Sequence, residues 1–183
     1  MSARTLLPAS AAVLAALVFG AGCLPAAAPL PEGAGATAFR PEVFFAGRSH
    51  GDPVVAIRTR GSQQLRVESI GAAGADGAFH LDQTIAYPGG RTETRRWTMR
   101  PLPGGRYATT LTPDARGPVE VWTEGPRLRI RYRMGRTTTM DQTLALRAGG
   151  QVADNVATVR MMGLPIARIT ETITREAEQE GGQ

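Results

Sequence analysis

From Val54 onward the chain alternates apolar and polar residues in short runs, and most runs end at a glycine or proline. A strand sends successive side chains to opposite faces, so a period of two marks a half-buried strand. Phe79, Leu81, Ile85 and Tyr87 alternate with His80, Asp82, Thr84 and Ala86, and Pro88-Gly89-Gly90 then turns the chain into a run over 92–99. The same pattern predicts strands over 54–60, 65–70, 107–111, 119–123, 128–134, 138–146, 152–161 and 166–173. Strands joined by turns this short form an antiparallel meander, which hides its edges best by closing on itself. The expected fold is all-β: an up-and-down meander closing into a barrel of about 8–10 strands. Phe39-Arg-Pro-Glu-Val-Phe-Phe, with its early proline, predicts one helical turn packed at the mouth of the domain.

One hairpin can be registered from residue order alone. With Gly125-Pro126 as the turn, Glu124 faces Arg127, Trp122 faces Arg129 and Glu120 faces Arg131. The opposite face then carries Val119, Val121, Leu128, Ile130, Tyr132 and Met134. The Arg127, Arg129, Arg131, Arg133 stripe is thus expected on a solvated outer wall opposite acidic residues. The rival reading is a patch for anionic lipid head groups.

The start of the chain has a different pattern. Arg4 precedes a nearly continuous Leu, Ala and Val stretch from Leu6 to Phe19, and the small residues Gly20-Ala21-Gly22 follow. The stretch is short for a bilayer span, which predicts a signal peptide over residues 1–22, cleaved before Cys23. Cys23 is the only cysteine, so no internal disulfide can form. Its position resembles the lipobox of bacterial lipoproteins, although Gly20 stands where that signal usually has leucine. The resemblance implies acylation of Cys23, export, and attachment to a membrane of the cell envelope. Leu24 after the cysteine implies the outer membrane, facing the periplasm. Each buried CH₂ of an acyl chain would add about 0.8 kcal/mol of anchoring. Residues 23–38 are rich in proline, alanine and glycine and are expected to be a flexible tether; 39–175 form the barrel, and 176–183 a polar tail.

The formal charge is +5, and all 21 basic residues are arginine. No platform of aromatics interleaved with basic residues supports a nucleic-acid partner. The two histidines, His50 and His80, lack ligand-spaced companions, so no metal and no cofactor are expected. His50 is read as part of a Ser-His-Gly-Asp-Pro loop, and His80 as outward-facing. No serine sits in a nucleophile elbow, so no catalytic residue is assigned.

Polar residues interrupt the rows assigned to the interior: Gln83, Gln142, Asn155 and Glu171. A buried carboxylate is costly unless it is paired or faces a wet cavity. These residues belong either to an internal hydrogen-bonded network or to the polar end of a ligand cavity. The candidate ligand contacts are Arg96, Tyr132, Gln142, Asn155 and Glu171.

The chain also resembles a family of bacterial lipoproteins grouped as domain of unknown function 3833. The resemblance rests on Phe39-Arg-Pro-Glu-Val-Phe-Phe-Ala-Gly, Arg95-Arg96-Trp97, Tyr107 with Asp114 and Gly117, Arg131-Tyr132, Met140-Asp141, and Asn155-Val156-Ala157 followed by Gly163. After Met140-Asp141 the chain departs from the family, with Gln142, Thr143 and Ala145. The resemblance implies a lipidated, lipocalin-like barrel and no particular activity. Three functions are compatible with the sequence. The first is a barrel that holds an apolar ligand, such as a fatty acid or lipid, near the membrane. The second is a filled structural or partner-binding barrel. The third is a lipid-modifying enzyme.

Overall fold

The computed structural model describes residues 24–26, 29–31 and 37–177. The leader, Cys23 and the end of the polar tail lie outside these. The described chain forms one short helix, α1 (Pro41–Phe44), one 3₁₀ turn (Pro103–Gly105) and twelve strands. The strands are β1 (Gly47–Gly51), β2 (Val54–Ile57), β3 (Gly61–Gln64), β4 (Arg66–Ala73), β5 (Phe79–Ala86) and β6 (Thr92–Leu102). They continue as β7 (Arg106–Thr112), β8 (Val119–Glu124), β9 (Arg127–Arg133), β10 (Thr138–Leu146), β11 (Val152–Met161) and β12 (Leu164–Arg175).

Every pairing is antiparallel. The sheet runs β1-β4-β5-β6-β7-β8-β9-β10-β11-β12 and closes through β12 onto β1, so ten strands form the barrel. The N-terminal half of β12, at Ala167–Thr170, pairs instead with β2, which forms a hairpin with β3. β1 and β2 are therefore successive stretches along one edge of β12, separated at Asp52-Pro53, where proline supplies no N–H to the ladder. The sequence pattern misses β1 and β3. Ser49-His50, expected in a loop, are in strand, and Gly61-Ser62, expected as a turn, open β3. Both strands are short and lack an apolar row, so hydrophobic alternation cannot reveal them; barrel closure between β12 and β4 orders β1, and the hairpin with β2 orders β3.

The β8–β9 hairpin has the expected register, with Glu124 opposite Arg127, Trp122 opposite Arg129 and Glu120 opposite Arg131. Gly125 has φ +56°, and with proline's fixed negative φ next this is the type II′ pattern, which accommodates a Gly-Pro turn. The partners differ from simple cross-strand pairs. Glu124 accepts from both Trp122 Nε1 (2.8 Å) and Arg129 Nε (3.1 Å), and Arg131 turns to Asp141 of β10 (2.6 Å). Arg129 and Arg131 of the stripe thus stand on an outer wall braced by carboxylates.

The two ends of the barrel differ. At one end Phe39, Phe44 and Phe45 are buried and mutually packed, with Phe44 5.3 Å from Phe39 and edge-on to Phe45 at 4.8 Å. The Phe39 N–H bonds the Gly125 carbonyl at 2.8 Å, and the Tyr107 hydroxyl donates to Glu42 of α1 at 3.1 Å. Burial, reinforced by Glu42, pushes the Tyr107 phenol up to about 12, so this latch stays protonated. A Cβ at Gly71 would lie 2.1 Å from the Phe45 carbonyl, so the plug seats only against a glycine. Phe79, Leu81, Trp97, Leu128 and Leu144 fill the interior beneath it. The expected helical turn forms, but at the end opposite the mouth: its three phenyl rings seal the filled end, where the interior is already aromatic and aliphatic.

Candidate functional site

Toward the other end the filling stops. A cavity of about 570 Å³ opens between the inner faces of β4, β5, β6, β9, β10, β11 and β12, with the β2–β3 hairpin forming one lip. Its walls include Val55, Val67, Ile85, Met140, Val159 and Ile169. Ala157, small and buried, leaves part of this volume empty. Other hollows lie outside the barrel, where Pro29–Pro31 of the tether cross the wall near Trp122 and Asp154.

Two polar chains converge on this cavity; the first lines it, and the second reaches its lining through Arg95 and Asp114. In the first, Gln142 Nε2 donates to Asn155 Oδ1 (3.0 Å), and Asn155 Nδ2 donates to Glu171 Oε2 (2.9 Å). Period-two alternation puts all three inward, and the β10–β11–β12 register brings them together, with Asn155 directly opposite Glu171. Gly51 makes room for the carboxylate, because a Cβ there would fall 2.4 Å from Glu171 Oε1. In the second, Gln83 donates to Ser69 Oγ (3.0 Å) and accepts from Trp97 Nε1 and Arg95 Nε, both at 2.8 Å. Arg95 also reaches Asp114 at 3.5 Å.

Of the five candidate contacts, Gln142, Asn155 and Glu171 form one connected group, and Tyr132 lines the same cavity with its ring edge-on to Trp97 at 6.1 Å. Burial raises the Tyr132 phenol, which keeps its hydroxyl protonated. Arg96 is on the other side of the wall: it forks onto Asp82 with bonds of 2.6 and 2.7 Å and is 59% exposed. The cavity arginine is Arg95. The signal was present in the sequence, since Trp97 and Met99 are apolar and share the parity of Arg95, not of Arg96. His80 faces outward as expected, 3.1 Å from Asp76. Among the described residues, no group of three His, Cys, Asp or Glu side chains is placed to hold a metal.

Burial raises the Glu171 carboxyl above its ordinary value, opposed by the Asn155 bond and the nearby Arg95 charge, with Asp52 adding to the rise. A carboxyl raised in the folded state keeps its proton where the unfolded chain has lost it. Its favourable contribution is therefore complete below the ordinary carboxylate range and is lost as pH climbs through the raised value. Glu171→Gln keeps an acceptor for Asn155 without the charge. The variant is expected to be more stable than the parent at pH 8 and to lose this part of the pH dependence, as read from urea midpoints across the acid-to-neutral range. Equal midpoints for both proteins at every pH would contradict the assignment.

The closed ten-stranded wall, the aromatic stopper and the one-ended cavity together define a lipocalin-like barrel. The chain belongs to the family described as protein of unknown function DUF3833, which matches residues 28–175. No curated protein matches the sequence. Several solved structures share the fold, two of them as follows. One is a Nostoc punctiforme protein of unknown function from the DUF3598 family, with 14% identity and a TM-score of 0.58 over 76% of this chain and 50% of that one. This chain therefore spans half the length of that protein. The other is an S-type phycobiliprotein lyase from Guillardia theta, with 4% identity and a TM-score of 0.61 over 75% of this chain and 92% of that one. At such identities the likeness concerns the fold alone.

Proposed function

We propose that this barrel binds and carries an apolar molecule with a small polar head, of the fatty acid or lipid class, at the membrane to which acylated Cys23 tethers it. The observation that carries this reading is the one-ended cavity. Its volume, about 570 Å³, falls within the range of small-molecule pockets, and its walls combine aliphatic side chains such as Val67, Ile85, Val159 and Ile169 with polar and charged ones. The interior polar groups suit a carbonyl, hydroxyl or carboxyl head. A purely structural barrel has no use for this empty volume, which costs packing energy. Binding is favoured over catalysis because Glu171 is bonded to an amide and the other polar side chains bond one another, with no nucleophile and base brought together.

The test is mass spectrometry of the chain from Leu24 onward, which holds every described residue of the barrel and its plug. A reproducible apolar molecule released on denaturation is expected. Ile169→Trp fills the cavity and is expected to abolish its retention while leaving the fold intact. A clean unliganded mass, repeated after incubation with an envelope lipid extract, would overturn the proposal.

A further inference from the structure

The cavity opens among the loops β2–β3 (58–60), β5–β6 (87–91), β7–β8 (113–118), β9–β10 (134–137) and β11–β12 (162–163), and these loops and their flanks differ in composition from the barrel wall. Arg58, Arg60, Arg116, Arg133 and Arg136 are exposed here. Among the described residues none of the five is in an ion pair; Arg133 reaches only the Arg136 carbonyl, at 2.8 Å. The carboxylates on or beside these loops are engaged elsewhere: Glu93 with Arg91 and Tyr87, Asp114 with Arg95, and Asp141 with Arg131. Glu120 faces Arg131 across the β8–β9 pair. The rim is therefore a ring of uncompensated guanidinium groups. Apolar side chains stand among them: Met162 is 79% exposed, Leu164 64% and Met161 44%. Met162 occupies the tip of the β11–β12 turn with φ +51°, which holds this apolar point out from the barrel.

A basic ring with aliphatic tips is complementary to an anionic lipid surface. Guanidinium groups fork onto phosphates, and methionine and leucine enter the acyl boundary. The tether agrees with this orientation. Of its described residues, Phe39 sits at the closed end, Leu30 lies on the outer wall, and the Pro25 carbonyl accepts from Arg168 on the mouth-side half of β12. We infer that the protein docks mouth-down on a bilayer containing anionic phospholipid, through the arginine ring and the Met161–Leu164 turn. The cavity then faces the membrane, and a ligand can pass between bilayer and barrel without crossing bulk water. Docking does not require a loaded cavity, so it stands or falls separately from the ligand proposal.

The test uses the chain from Leu24, which contains no cysteine, with one introduced by Met162→Cys and labelled with an environment-sensitive fluorophore. Val43→Cys, at the exposed surface of the plug, is the control. Vesicles of phosphatidylcholine with phosphatidylglycerol are expected to shift the emission of the probe at 162 to the blue and leave that at 43 unchanged, with binding that weakens as salt is raised. Each of Arg58→Ala, Arg60→Ala, Arg116→Ala and Arg136→Ala is expected to weaken vesicle binding about fivefold at low salt. Arg127→Ala, nearer the closed end, is not. Absence of binding, equal binding to pure phosphatidylcholine, or an equal shift at both probe positions would overturn the inference. The salt titration and the probe comparison decide it even if an arginine variant is lost to misfolding.

Discussion

Phe44→Ala is expected to lower the unfolding free energy by about 3–5 kcal/mol, the usual cost of removing a buried phenyl ring. The ring is 2% exposed and touches both Phe39 and Phe45, so its removal leaves two aromatic faces without a partner. Little can move in to repair the gap. The rigid closure at Gly71, the Tyr107–Glu42 latch and the Phe39 bond to Gly125 hold the plug backbone in place. A domain of this size has about 5–15 kcal/mol in total, so the variant should melt many degrees below the parent. Urea denaturation followed by circular dichroism measures it. A loss under about 1 kcal/mol would mean that the plug is an ornament on an otherwise self-sufficient barrel. Phe44→Leu, which keeps most of the apolar volume, should recover more than half of the loss.

Gln83→Leu is expected to cost about 3 kcal/mol, although leucine is apolar and similar in size. The carboxamide of Gln83 satisfies three groups at once, and no other partner of the buried Trp97 N–H is found. Leucine strands that indole donor and frees Arg95 from the bond that aims it. Adding Trp97→Phe removes the stranded donor, so the double variant should be less destabilised than the two single losses summed. Additivity would show that the two side chains do not share the bond. Ligand retention should fall in Gln83→Leu beyond what stability explains, because Arg95 is no longer held at the cavity.

Much of this molecule was legible in residue order. Alternation revealed nine of the ten barrel strands and the inward direction of Gln83, Gln142, Asn155 and Glu171, because a strand side chain has only two directions available. The Gly125-Pro126 turn set its own register, since dihedral preference at two residues is a local property. The Phe39–Phe45 cluster announced itself as a plug by apolar density.

What residue order could not decide was whatever depends on which strands become neighbours. β1 and β3 carry no apolar row, and they become strands only because β12, β4 and β2 offer open edges to pair with. Arg131 had two acidic suitors, and the neighbouring strand supplied the better-placed one, Asp141. Arg95 and Arg96 are adjacent in the chain, yet one lines the cavity and the other braces the wall, and the Gln83 pairing opposite Arg95 is a contact between strands. The cavity itself belongs to no segment. It exists because aromatic volume gathers at one end of a closed barrel while alanine and aliphatic residues line the other, and only closure brings those residues around one space. Local preference thus determined the strands and their faces, and three-dimensional pairing determined the neighbours, the hollow and the mouth.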